Sequence, residues 1–255
     1  MPKLMGQTDM EAHKTMQNFE FSAVPVDKLG ASQYTIVSIC QDTSGSVQPF
    51  KDDMEKCLKE IKQACEKSPA SEYLLSRLVE FNSSVNELHG FKELRDIEDT
   101  EYENILNCYG ATALRDAAVN AAEATETYAQ KLYDLEYRCN GIMFVITDGD
   151  DNSSVVARNN GAVKKVFDKI KRSEIPLESF LTILIGVGDK KNDPYFPEIE
   201  KYLNNLKDEG GFDQFIMLED TSPETLAKLA DFISRSISSS STSLTNKEPS
   251  KTLSF

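Results

Sequence analysis

A chain of 255 residues with 40% hydrophobic and 27% charged side chains carries enough apolar surface for one α/β domain with a full core, which excludes a disordered or low-complexity protein. Forty-two acidic against 28 basic side chains leave a formal charge of -14. That field repels polyanions and argues against nucleic acid or an anionic membrane as the main partner. The five cysteines, Cys40, Cys57, Cys65, Cys108 and Cys139, form no C-x-x-C pair. The N-terminus has no apolar leader-like core, and the longest apolar runs, Gly141 to Ile146 and Phe180 to Val187, are far shorter than a bilayer span. A cytoplasmic protein with reduced thiols is expected, so the Asn-x-Ser sequences at Asn82 and Asn152 carry no weight as glycosylation sites.

Residues 1–30 read as a polar arm in which Phe19, Phe21, Val24 and Val26 can lie extended against the core. Tyr34 to Cys40 (YTIVSIC) is a strand, and Pro49 to Lys67 is a helix with Phe50, Met54, Cys57, Leu58, Ile61 and Cys65 at helical spacing. Tyr73 to Phe81 and Leu88 to Leu94 are strands joined by the polar turn Asn82 to Asn86. An Ala-rich helix follows over Thr112 to Tyr133. Gly141 to Thr147 (GIMFVIT) is apolar on both faces, as the middle of a covered parallel sheet requires. Ala162 to Arg172 is a helix, Phe180 to Val187 a buried strand, Tyr195 to Leu206 a helix and Phe212 to Leu218 a short strand. Ser222 to Ile237 is a last amphipathic helix with Pro223 in its first turn. Beyond it, residues 239–255 are Ser-rich and read as a disordered tail.

The alternation of strands and helices predicts one domain over residues 31–238. It is an α/β, doubly wound, mostly parallel six-stranded sheet with helices on both faces and Leu88 to Leu94 as an antiparallel edge strand. Ligands in such sheets bind beyond the carboxyl ends of the strands, which directs attention to the loops just after them. After the first strand the chain reads Asp42, Thr43, Ser44, Gly45, Ser46. In an extended loop alternate side chains share a side, so Asp42, Ser44 and Ser46 can converge on one point. Their oxygens suit a hard cation such as Mg²⁺. The plainer reading is a capped turn at the start of the next helix. Two more loops point to the same edge: Gly110, Ala111 and Thr112 at the entry to the Ala-rich helix, and Asp148 to Asn152 after GIMFVIT. Together Asp42, Ser44, Ser46, Thr112 and Asp148 supply five oxygen-bearing groups, and a cation held by so few charges keeps a position open for an acidic ligand.

These three segments, D-x-S-x-S, Gly-x-Thr and T-D-G, resemble the metal-ion-dependent adhesion site (MIDAS) of von Willebrand factor A domains over roughly Tyr34 to Ile237. Leu181 to Val187 with Gly188 and Asp189 also looks like the corresponding family segment. The end of the last helix is similar to stand-alone bacterial members associated with tellurium resistance. The resemblance implies a Rossmann-like fold binding Mg²⁺, in some members Mn²⁺ or Ca²⁺. It puts Ser44, Ser46 and Thr112 in direct or switchable contact with the ion and Asp42 and Asp148 often acting through water. A partner protein's Asp or Glu would complete the coordination, and related stand-alone domains work beside AAA-type ATPases, kinases or stress-response proteins. It also implies that movement of the last helix can accompany ligand binding.

Other readings compete. A Mg²⁺-dependent phosphatase, phosphotransferase or nuclease could use Asp42, Asp148 and Asp150, but the chain has no P-loop and only two histidines, His13 and His89, neither beside the motif loops. The run from Asp148 fails as a calcium-binding helix-loop-helix loop, because Ser153 stands where Gly is needed and Asn159 where Glu is needed. Asp116 reads as a charge favoured by the helix dipole, and Lys164 to Arg172 as a solvated basic face. The expectation is therefore a non-catalytic, metal-dependent binding module.

Overall fold

The arm contributes structure of its own. In the computed structural model, which describes residues 10–173 and 176–255, Glu11–Lys14 (β1) and Glu20–Ala23 (β2) form an antiparallel hairpin. Its turn closes at Asn18, in the left-handed region with φ 63°, where Asn is among the few non-glycine residues tolerated. After the hairpin come β3 (Gln33–Asp42), α1 (Lys51–Glu66), β4 (Leu74–Phe81), β5 (Val85–Glu93), α2 (Leu114–Tyr133) and β6 (Arg138–Thr147). The chain continues through α3 (Asn160–Arg172), β7 (Ser179–Val187), α4 (Phe196–Gly210), β8 (Gln214–Leu218) and α5 (Pro223–Asn246).

The strands form one eight-stranded sheet in the order β1-β2-β5-β4-β3-β6-β7-β8. Pairings from β4 through β3, β6 and β7 to β8 are parallel, whereas β4 and β5 are antiparallel. Alternation along β3 sorts its side chains: Tyr34, Ile36 and Cys40 enter the core beneath α2, α3 and α4, while Val37 and Ile39 enter the one beneath α1 and α5. From β3 the chain goes first to β4 on one side and later returns to β6 on the other. The carboxyl ends of β3 and β6 therefore form the switch point at which such sheets open a crevice.

Two boundaries differ from the sequence expectation. The sheet has eight strands, not six, and β5 is not an edge, because β2 lies parallel to it through Ala23 opposite Phe91. Four-residue strands are too short to show a period, yet Phe21 and Ala23 are fully buried. The close approach depends on Gly90, where an added Cβ would lie 2.1 Å from Ser22 Oγ. Across this junction sits a buried Arg77. Its Nε donates to Glu87 Oε2 at 2.6 Å and its Nη1 to Asn120 Oδ1 at 2.9 Å, and its guanidinium lies 5.9 and 5.8 Å from the Phe21 and Phe91 ring centroids.

The second difference is at the C-terminus, where α5 continues to Asn246 through the serine run. Ser236, Ser240 and Ser241 are buried. Asn140 of β6 donates to the Ser240 carbonyl at 2.9 Å and to Ser250 Oγ at 3.2 Å, and Gln214 donates to the Leu253 carbonyl at 2.8 Å. Segment 247–255 thus lies back against the sheet, held by polar contacts that composition does not reveal.

Candidate metal centre

At the end of β3 the Asp42 side chain is fully buried and both its oxygens are held. The Ser44 backbone N–H donates to Oδ1 at 2.7 Å, a local turn that Asp favours, and the Thr147 hydroxyl donates to Oδ2 at 2.5 Å. The chain then winds into a 3-10 turn over Gly45–Phe50 before α1. Ser44 Oγ lies 3.0 Å from Ser46 Oγ, which donates to Asp148 Oδ1 at 3.0 Å. Four of the five expected residues thus form one hydrogen-bonded chain, buried at Asp42 and open to solvent at Ser46.

Thr112 is not part of that chain; its backbone is tied to the loop that carries Asp148. Its N–H donates to Asn152 Oδ1 at 2.8 Å, and its carbonyl accepts from the N–H groups of Asn152 and Ser153 at 3.0 and 3.1 Å. The loop before it is tied to the first loop by Tyr109 N–H to the Thr43 carbonyl at 2.9 Å and by Gly45 N–H to the Gly110 carbonyl at 3.2 Å. Gly110 has φ +78°, and a Cβ there would come within 2.7 Å of Ser83 Oγ, so the strap requires glycine twice over.

Sequence reasoning missed what holds the third loop. Asp116, read as a dipole charge, accepts backbone N–H groups from Val155 at 2.9 Å, Val156 at 3.1 Å and Ala157 at 2.7 Å. Asp151 accepts from Arg115 N–H and Nη2, both at 2.8 Å. Both carboxylates fasten the loop after β6, which begins at Asp148, onto the first turn of α2. Asp150, which a hydrolytic reading adds, is exposed. His89 is buried in the β4–β5 hairpin with Nε2 3.3 Å from the Tyr102 hydroxyl, and His13 lies in β1. Three of the α3 basic residues are engaged in ion pairs, Lys169 with Glu126, Lys171 with Asp213 and Arg172 with Asp168, while Lys164 and Lys165 are exposed.

Electrostatically the centre is a pair of carboxylates served only by neutral donors. Burial, and then the neighbouring Asp148, push Asp42 up to about 7, against the pull of the Thr147 and Ser44 hydrogen bonds. Asp148 is also raised, by burial first and in part by Asp193. Among the described residues no three His, Cys, Asp or Glu side chains gather as a metal site; the present group has two carboxylates, and the rest of its donors are hydroxyls. That set fits a hard divalent cation, because like charges crowded in a buried site are relieved by an ion whose ligands are oxygens.

No protein-family model and no curated protein sequence matches the chain. Solved structures do. The PilB minor pilin from Streptococcus sanguinis is similar with TM-score 0.54 at 16% identity, covering 87% of this chain and 65% of the pilin. BatB from Bacteroides thetaiotaomicron gives 0.51 at 15%, covering 79% of this chain and 98% of BatB. Proximal thread matrix protein 1 from the mussel byssus gives 0.55 at 14%, covering 81% of this chain and 48% of that one, and a further structure of it has a zinc-occupied MIDAS motif. The fold is von Willebrand factor A-like. The chain spans less than two thirds of the pilin and about half of the byssus protein.

Proposed function

We propose that the chain is a Mg²⁺-dependent protein-interaction module in which Asp42, Ser44, Ser46, Thr112 and Asp148 hold the ion and an Asp or Glu of a partner protein completes its shell. The observation that carries the reading is the convergence of Asp42, Ser44, Ser46 and Asp148 through one chain of hydrogen bonds of 2.7 to 3.0 Å, with no basic side chain in it. Hard oxygen donors favour Mg²⁺, with Mn²⁺ and Ca²⁺ as substitutes. The zinc-occupied MIDAS of the byssus protein supports a divalent ion at this place in the fold. The ion would supply an electrophilic position for a carboxylate. The protein supplies the rest: Thr147 and Ser44 orient Asp42, and the Asp116 clamp orients Asp148.

The reading is non-catalytic, supported by the distance of both histidines from the loops and the exposure of Asp150. A cytoplasmic setting is supported by five free cysteines, four of them buried. Among the described residues no helix is long and apolar enough to cross a membrane. Calorimetric titration with Mg²⁺ and Mn²⁺ of wild type and Asp148→Ala tests the centre, followed by capture from lysate in Mg²⁺ or EDTA. One ion bound by wild type only, and a protein retained only by wild type in Mg²⁺, is the expected result. Failure to bind either ion at millimolar concentration, or identical capture in every condition, would refute it.

A further inference from the structure

Gln41 immediately precedes Asp42 on β3, and the alternation that puts Val37 and Ile39 beneath α1 and α5 puts Gln41 there too. An amide on an apolar face is costly unless its groups are paired. Gln41 is 2% exposed. Its Nε2 donates to the Asp42 carbonyl at 3.0 Å, but Oε1 is buried with no hydrogen-bond partner among the described residues. The residue lines a void of about 10 Å³ together with Thr147 and Asp148, walled by Val47, Met54 and Val187. That is close to the smallest space that holds one water. A buried acceptor left unpaired is costly, so an occupant that can donate is strongly favoured.

We propose that this void holds one ordered water that donates to Gln41 Oε1 and, through its second hydrogen, to a carboxylate oxygen of Asp148. Gln41 is then a positioning residue of the centre: its amide N–H fixes the Asp42 backbone, and the water fixes the Asp148 carboxylate just past the end of the neighbouring strand. Its effect on the ion rests on the metal-centre reading above; the water does not. Groups behind the ligands that orient them change metal affinity by roughly 10–100-fold when removed.

The test is an atomic-resolution crystal structure of the protein in EDTA, with Mn²⁺ titration and urea unfolding of wild type and Gln41→Met, which keeps the bulk and removes the acceptor. The expected results are density for one water bonded to Gln41 Oε1 and Asp148, its loss in Gln41→Met, and a Mn²⁺ affinity at least about tenfold weaker with the metal-free unfolding midpoint unchanged or raised. Should Gln41→Met not fold, Gln41→Asn, whose shorter side chain withdraws the acceptor, carries the same expectation. A dry void in wild type, or unaltered Mn²⁺ affinity in the variant, overturns the proposal. Wild type that binds no divalent ion refutes the reading of the centre and the positioning role with it, while the density decides the water by itself.

Discussion

Replacing Asp116 by Ala should destabilise the protein by about 3–5 kcal/mol, because the carboxylate is the common acceptor for three successive backbone donors of the loop after β6. The three losses are unequal. Ala157 is 1% exposed, so its N–H has no route to water and bears the full penalty of a stranded donor, about 1–3 kcal/mol. Val155 and Val156 are 70% and 39% exposed; their N–H groups can turn to solvent and lose only the net worth of a charge-assisted bond, about 1 kcal/mol each. Asp116→Asn retains one acceptor oxygen but turns an NH₂ toward the same donors, and should cost roughly half as much. Urea unfolding with an unchanged m-value measures both. Since the loop carries Asp148 and seats Thr112 through Asn152, Asp116→Ala should also weaken divalent-ion binding in protein that remains folded at the titration temperature. A loss under 1 kcal/mol for Asp116→Ala, or equal losses for Ala and Asn, would show that the loop is held by something else.

Arg77→Met removes the ion pair to Glu87 and the bond to Asn120 at a site 1% exposed; a loss of about 3 kcal/mol is expected from the stranded partners, and limited proteolysis should cut between β1 and β3 faster than in wild type. His89 is depressed to about 4 by burial, with Lys92 adding to the effect against the Gly90 carbonyl. It stays neutral in the folded protein while the unfolded chain takes up a proton below about pH 6.5. Its contribution is therefore whole above pH 6.5 and falls as pH drops toward 4, by up to about 3 kcal/mol. Urea midpoints for His89→Gln should show a flatter decline over that window, and identical slopes would refute the assignment. Asp148→Asn removes one of two crowded carboxylates, so in EDTA its thermal midpoint should rise by about 2–4 °C while Mg²⁺ no longer stabilises it; a lowered midpoint would mean the charge pair is not strained.

The central sheet was readable because each of its strands announces itself locally: GIMFVIT needs no distant partner to be recognised as a strand covered on both faces. The loops were readable for a similar reason, since D-x-S-x-S places three oxygen-bearing side chains within five residues. What escaped was whatever depends on pairing across sequence. Phe21 and Ala23 make a strand only because Gly90 lets β2 approach β5. The serine run of α5 packs against β6, where Asn140 donates to the Ser240 carbonyl, so a composition that reads as disorder becomes the last turns of a helix. Asp116 sits where a helix dipole would welcome any acid, and that sufficient explanation hid the three backbone donors about forty residues further on. Arg77, in β4, gave no sign that Glu87, Asn120 and two aromatic rings would enclose it.

The distribution of basic side chains near the centre carries the argument one step further. Arg115 is the nearest guanidinium on α2, and Asp151 engages it at 2.8 Å; Lys51, at the start of α1, lies 3.9 Å from Glu55. The groups that lower Asp42 and Asp148 are hydroxyls and backbone N–H groups. A fold whose only concern was stability would turn one of these cations inward, because an unpaired buried carboxylate is among the costliest groups a domain can hold. Here the cations are committed to neighbouring acids and the two carboxylates are left crowded at a solvent-facing crevice. Such an arrangement favours a cation from solution over one from the chain, and a net charge of -14 draws that ion toward the surface. On the proposed reading, a divalent ion against two carboxylates would leave the centre without net negative charge, the condition under which a third carboxylate, a partner's, could approach an otherwise acidic protein.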